Sequence, residues 1–217
     1  MTSLAELIAG KDECFRQGSG PSPGRQEIAI LPGAFDPLHV GHLGMAQLAE
    51  EKLGKQVHFE LSMVNVDKPP LDQETCQRRL AQFGPRQSIW LTRAAHFSEK
   101  AKLFPQATFV VGVDTIRRVG DPKYYADINT MLRTIDWIAS TGCRFLVFGR
   151  IIGQRKFRTL DDLDLPAELN AICQQVDEDA FRVDISSTEL KKHFDTATSP
   201  KSTLSRNIGN RSKSDGA

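Results

Sequence analysis

Two histidines three residues apart, His39 and His42, stand in the run Ile30-Leu31-Pro32-Gly33-Ala34-Phe35-Asp36-Pro37-Leu38-His39-Val40-Gly41-His42. An imidazole donates a hydrogen bond whether neutral or charged, so a close pair suits work at a phosphorus centre. The three-residue spacing puts both rings on one side once the first helical turn has begun. Helical periodicity starts around Gly41, so unpaired backbone N–H groups and the positive end of a helix face the same loop. Gly33 lacks a Cβ and permits unusual backbone angles or close approach by a ligand, while Pro37 stiffens the loop. Together these parts can surround a polyphosphate, with N–H donors beneath it and two imidazoles alongside. The same residues also allow two surface histidines in a strand–helix turn, or half of a metal site without its carboxylate.

Weaker candidates follow other strand-like runs. Ile185-Ser186-Ser187-Thr188-Glu189 opens the last helical pattern, where Ser186 can cap the helix and Glu189 can reciprocate in a capping box. That pairing needs no ligand. Residues 144–158 hold five basic side chains and no acid, so they would attract phosphates. The acidic stretch at 161–168 could equally neutralise them. Asp114, with Thr115 behind it, can cap a helix. Lys68 reads as a solvated loop charge and Arg79 as an exposed helical one. No Ser/His/Asp set or paired-carboxylate signature stands out.

The run Gly33–His42 resembles the G-x-F-x-P-x-H-x-G-H signature of the nucleotidylyltransferase superfamily, in its adenylyltransferase and cytidylyltransferase branches. The strand before it and the helix after it supply the context such a motif requires. The resemblance covers about 26–195. It implies attack by an acceptor phosphate on the α-phosphorus of a nucleoside triphosphate, with release of pyrophosphate. An acceptor phosphate is already an anion, so no strong base is needed, and catalysis would rest on positioning and charge stabilisation. By the same resemblance His42 meets the α-phosphate and His39 the outer phosphates, while Gly33, Ala34, Phe35 and Gly41 lie against the nucleotide. Ser186, Ser187 and Thr188, similar to the family's Ile-Ser-Ser/Thr-Thr motif, would grip the pyrophosphate, and Mg²⁺ would offset its charge.

Lys68 resembles a lysine placed between the two substrates' phosphates, Asp114 the aspartate of a Gly-x-Asp that holds substrate, and Arg79 a helix arginine near the acceptor. Arg150 and Gly153 are similar to an Arg-x-Gly turn of nicotinate and nicotinamide mononucleotide adenylyltransferases, with one extra residue between them. The chain departs from the adenylyltransferase pattern at Leu190-Lys191, where Ile-Arg is usual; lysine keeps the charge and loses the planar fork. Arg182-Val183-Asp184-Ile185-Ser186 lacks the Thr and Gly of the cytidylyltransferase version, which favours ATP over CTP. The resemblance thus implies ATP and a phosphate-bearing small molecule as partners, with a pyridine mononucleotide the first choice of acceptor. Phosphopantetheine adenylyltransferase or a CTP-dependent enzyme is the runner-up, although the phosphopantetheine enzymes usually lack a segment like 121–142. A non-catalytic nucleotide sensor on the same fold is the alternative of another class.

The elements that must position these residues alternate in type. Strand-like runs fall at 27–32, 57–64, 88–92, 107–112, 144–149 and 181–185, and helical patterns at 41–53, 72–83, 96–104, 124–140, 165–176 and 186–194. Such alternation predicts an α/β fold, a Rossmann-like open parallel sheet with helices on both faces. Ligands of such sheets bind at the carboxyl ends of the strands, which is where the candidates lie.

The expected organisation is an N-terminal helix and linker at 1–25, a nucleotidylyltransferase domain at 26–195 and a disordered tail at 196–217. Within the first part, 2–17 reads as a short helix carrying Leu4, Leu7 and Ile8, and Gly/Pro-rich 18–25 as a flexible connection. The tail is too poor in large apolar residues to offset its ordering.

Composition limits the partners. The net charge of +1 excludes a protein that coats nucleic acid by bulk electrostatics. It divides into a body of −2 and a tail of +3. No apolar run approaches eighteen residues, so neither a membrane span nor a membrane partner is expected. The first residues do not read as a secretory signal. Cys14, Cys76, Cys143 and Cys173 are far apart in sequence and read as free thiols in a reducing cytoplasm. Oligomeric state leaves no mark in the sequence.

Overall fold

The alternating patterns assemble around one seven-stranded sheet in a computed structural model that describes residues 3–18, 28–66, 69–152 and 156–181. The elements are α1 (Leu4–Ile8), β1 (Cys14–Gln17), β2 (Ala29–Pro32), α2 (Val40–Leu53), β3 (Val57–Ser62), α3 (Gln73–Leu80), β4 (Ile89–Thr92) and α4 (Phe97–Leu103). They continue with β5 (Thr108–Gly112), α5 (Val113–Val119), α6 (Ile128–Ser140), β6 (Arg144–Phe148), β7 (Arg150–Ile152), β8 (Lys156–Arg158), α7 (Ala167–Asn170) and β9 (Cys173–Val176). The sheet order is β1-β4-β3-β2-β5-β6-β9, and β7 and β8 pair as a separate antiparallel hairpin. All neighbours in the main sheet are parallel except β1 with β4. The fold is therefore the expected Rossmann-like α/β type, with one antiparallel edge strand added.

Side chains of a strand alternate between faces, and the core divides accordingly. Ile30, Phe109, Val111, Phe145 and Val147 pack with residues of α4, α5, α6 and α7. Ala29, Leu31, Val110 and Leu146 pack with α1, α2 and α3 on the other side. From β2 the chain builds outward through β3 to β4, then returns over α4 to β5 on the opposite side of β2. Strand order thus reverses between β2 and β5, and the crevice at a reversal lies outside the carboxyl ends of these strands.

Three helix expectations are corrected. In 2–17 only Leu4–Ile8 is helical, capped by Ser3 and Glu6 in a reciprocal box. Gly10 then turns the chain at φ 71°, and Cys14–Gln17 join the sheet beside β4. Fully buried Leu7 anchors α1 beneath the sheet, a burial that contributes roughly 2 kcal/mol. The expected helix at 165–176 is a single helical turn, α7, followed by strand β9. Leu169, Ile172 and Val176 are spaced like a helical face, but they lie on a helix, a turn and a strand, all buried. Here pairing with β6 overrides the local pattern. The pattern at 124–140 is helical only from Ile128, where Asp127 accepts a hydrogen bond from the Thr130 N–H at 2.7 Å. The remainder of the strand expected at 181–185 beyond Phe181, the helix at 186–194, the stretch 196–217 and most of the 18–25 connection lie outside the described residues.

Candidate active site

The loop between β2 and α2 is fixed from below and from the side. Gly33 N–H continues the β2–β3 ladder by donating to the Glu60 carbonyl at 2.9 Å. Phe35 then takes a left-handed φ of 45°, which costs a bulky residue energy and needs support from its surroundings. Its ring is 1% exposed and meets Phe59, Phe83 and the His42 imidazole edge-on, the last at 5.1 Å. A Cβ on Gly33 would stand 2.6 Å from this ring. The close approach that Gly33 permits is therefore by Phe35, and any contact of Phe35 with a ligand falls to its backbone.

α3 and the turn after it clamp the same loop. Arg79 donates to the Ala34 carbonyl at 2.9 Å and to Asp36 Oδ2 at 3.0 Å, with Arg78 at 3.5 Å from Asp36 Oδ1. Gln82 accepts from the Leu38 N–H and donates to the Phe35 carbonyl, both at 2.8 Å. The Arg79 side chain is 11% exposed, so it is no solvated helical charge. It holds the signature loop from within. Gln82 and Asp36 are site residues that sequence reasoning missed; nothing in their local pattern marks them.

His39 is the N-cap of α2, and its Nδ1 accepts from the Gly41 N–H at 3.1 Å. His42 Nδ1 accepts from the His39 N–H at 3.3 Å, and the two rings stack with centroids 3.8 Å apart. Burial lowers the pKa of His39 below its usual 6.5. Burial first, and then the neighbouring His39, pushes His42 down to about 4. Both rings are therefore neutral at pH 7. Because each Nδ1 accepts a hydrogen bond, the ring proton resides on Nε2, and each ring presents an Nε2–H donor.

Candidates from two further strand ends meet each other. Asp114 lies in the first turn of α5 and Arg150 at the start of β7, with Arg150 Nη1 2.6 Å from Asp114 Oδ2. Both remain partly open to solvent. The cap position of α5 falls to Gly112, not Asp114. Lys68, Gly153, Ser186, Ser187 and Thr188 lie outside the described residues.

A cavity of about 430 Å³ opens beside the ends of β3, β4 and β5, lined among others by His96, Phe97, Thr115, Arg118, Tyr124 and Tyr125. Its outer wall comes from 121–142, through Tyr124, Tyr125, Thr130 and Thr134. The inner wall is held by a buried network. Lys100 Nζ contacts both Glu60 oxygens at 2.7 and 2.8 Å and the Ala94 carbonyl at 2.8 Å. Thr92 Oγ1 donates to Glu60 at 2.5 Å and accepts from the Ala94 N–H. Glu99 accepts from the Ala95 and His96 N–H groups.

Among the described residues no group of three or more His, Cys, Asp or Glu is placed to hold a metal ion. No helix among them is long and apolar enough to cross a membrane. The four cysteines form no disulfide.

The paired imidazoles thus stand at a helix N-terminus beside the strand-order reversal of a parallel sheet, the place where open α/β sheets bind their ligands. The chain belongs to the cytidylyltransferase-like family, part of the nucleotidylyltransferase superfamily, whose family model matches residues 30–193. A comparison with curated proteins gives no significant match. The family's common activity is nucleotidyl transfer.

Proposed function

We propose that the protein transfers AMP from ATP to the phosphate of a small acceptor, a pyridine mononucleotide, releasing pyrophosphate. The observation that carries this reading is the stacked, neutral His39–His42 pair at the N-terminus of α2, with each Nδ1 held by a backbone N–H. In the reaction an acceptor phosphate oxygen forms a bond to the α-phosphorus while the bond to the β-phosphate oxygen breaks and pyrophosphate leaves. No proton has to be removed from the attacking oxygen. Negative charge grows on the oxygens around the α-phosphorus, and His42 Nε2–H donates to them as it does so. His39 Nε2–H serves the outer phosphates. Rigidity suits this role: Phe35, Arg79 and Gln82 fix the loop before substrate arrives, so little reorganisation accompanies the reaction.

Arg150, paired with Asp114 at 2.6 Å, would exchange that partner for a phosphate, and Ser186, Ser187, Thr188 and Lys68 are assigned by the family resemblance as further phosphate contacts. Mg²⁺ binds few protein groups and keeps waters and phosphate oxygens. It would therefore enter with the triphosphate as MgATP and neutralise the leaving pyrophosphate. The cavity beside His96 would take the acceptor's nucleoside, with Phe97, Tyr124 and Tyr125 as walls for a ring.

Incubation of the full chain with MgATP or MgCTP and a panel of acceptor phosphates, following pyrophosphate and separating products, tests the reading. Dinucleotide formed from ATP and a pyridine mononucleotide, abolished by His42→Ala, is the expected result. Reaction with CTP instead assigns a cytidylyltransferase. ATP binding without release for any acceptor, unchanged by His42→Ala, points to a sensor and overturns the enzymatic reading.

A further inference from the structure

We propose that the cavity beside His96 selects an acceptor whose planar ring carries a negative charge, and that Arg118 is the residue that reads that charge. The inference rests on the assignment of this cavity to the acceptor and goes beyond it by naming the substrate's charge. Phe97, Tyr124 and Tyr125 offer flat walls, and the Tyr125 hydroxyl is spent on the Val119 carbonyl at 2.8 Å, which fixes its ring. Lys123 Nζ lies over the Tyr124 ring, 4.9 Å from its centroid. A flat aromatic group therefore finds preformed surfaces.

The charge of the lining is one-sided. Among the described residues no Asp or Glu lines the cavity, and Arg118 is its one permanently charged side chain. Carboxylates on the adjoining segments already have partners: Asp114 with Arg150, Asp121 with Lys123 at 2.9 Å, Asp127 with the Thr130 N–H, and Glu99 with two backbone N–H groups. The Arg118 guanidinium makes no hydrogen bond or ion pair among the described residues; only its backbone carbonyl is engaged, by the Gly120 and Asp121 N–H groups. A guanidinium matches a carboxylate through two parallel N–H···O contacts, which a carboxamide cannot reproduce. An acid-bearing ring thus gains a charge-assisted pair here, and its neutral amide does not.

Nicotinic acid mononucleotide and nicotinamide mononucleotide form the matched probe pair. They differ only in a carboxylate or an amide on the same ring and carry the same attacking phosphate. With MgATP and the full chain, kcat/KM for the acid should exceed that for the amide by about tenfold, the scale of one partly exposed charge-assisted hydrogen bond. Arg118→Gln should bring that ratio close to one, mainly through KM of the acid, and Arg118→Lys should retain part of it. Arg117→Gln, one residue away and outside the cavity lining, should leave the ratio unchanged. Equal use of both, preference for the amide, or a ratio insensitive to Arg118→Gln overturns the proposal while leaving adenylyl transfer intact. If neither is adenylylated, transfer to a pyridine mononucleotide fails, and calorimetric binding of the two compounds decides the charge question. Tighter binding of the acid, lost in Arg118→Gln, then supports the proposal; equal binding or none overturns it.

Discussion

Lys100→Met should be among the most damaging single substitutions away from the signature loop. Glu60 is 0% exposed and Lys100 5%. Lys100 Nζ makes two contacts to the Glu60 carboxylate and one to the Ala94 carbonyl, all within 2.8 Å. Methionine fills similar volume but leaves Glu60 charged and buried, with only the Thr92 hydroxyl among the described side chains to satisfy it. Breaking a buried pair in this way costs about 3–5 kcal/mol, whereas replacing both partners by apolar groups is often neutral. At roughly 2–4 °C per kcal/mol for a chain of this size, the single variant should melt about 10 °C lower.

The double variant Lys100→Met, Glu60→Leu should recover most of that loss, giving a coupling of at least about 2 kcal/mol. Thermal and urea unfolding of the full chain, followed by circular dichroism, measure both. The recovered double variant still lacks the anchor on Ala94, so its KM for the acceptor should stay raised while KM for ATP does not. A single variant within about 1 kcal/mol of the wild type, or strictly additive effects, would refute the argument.

Burial holds His39 and His42 below their ordinary 6.5, His42 at about 4. On acidification the unfolded chain therefore binds these protons first, so stability present above pH 6.5 is lost as pH falls towards 4. His42 alone accounts for up to about 3 kcal/mol of this loss. His42→Gln should flatten the stability–pH curve between pH 6.5 and 4, and an unchanged slope would contradict the assignment. Gly33→Ala would place a Cβ 2.6 Å from the buried Phe35 ring, at a cost of about 1–3 kcal/mol. Because that ring supports His42, KM for ATP should rise together with the fall in melting temperature. Gln82→Ala strands the Leu38 N–H and the Phe35 carbonyl, and should cost about 1–3 kcal/mol and weaken ATP binding without any contact to ATP.

The parallel strands and the signature loop were legible because their signals are local. β2, β3, β4, β5 and β6 are β-branched and aromatic runs bounded by turns, and Gly33, His39, Gly41 and His42 occupy fixed positions in one short run. What escaped was set by tertiary partners. Cys14-Phe15-Arg16-Gln17 has no clear alternation and becomes a strand only beside β4, with Arg16 over the Trp90 ring at 5.2 Å. β9 was masked by the helical spacing of Leu169, Ile172 and Val176. The clamp on the signature loop comes from Arg79 and Gln82, more than forty residues from the backbone they hold. Asp114 and Arg150 were each visible alone as charges after strands; their pairing at 2.6 Å was not. The cavity was invisible for the same reason, since its walls come from four separate stretches of chain. The segment 121–142, which set the chain apart from compact relatives, proves to be one of those walls.

Isotope position tests the central claim most directly. ATP labelled at the α-phosphorus and ATP labelled at the γ-phosphorus are supplied in parallel, with nicotinic acid mononucleotide as acceptor. Nucleotidyl transfer guided by His39 and His42 predicts α-label in a dinucleotide and γ-label in pyrophosphate, both lost in His42→Ala. Transfer of γ-label to the acceptor, or α-label transfer undiminished in His42→Ala, would contradict it.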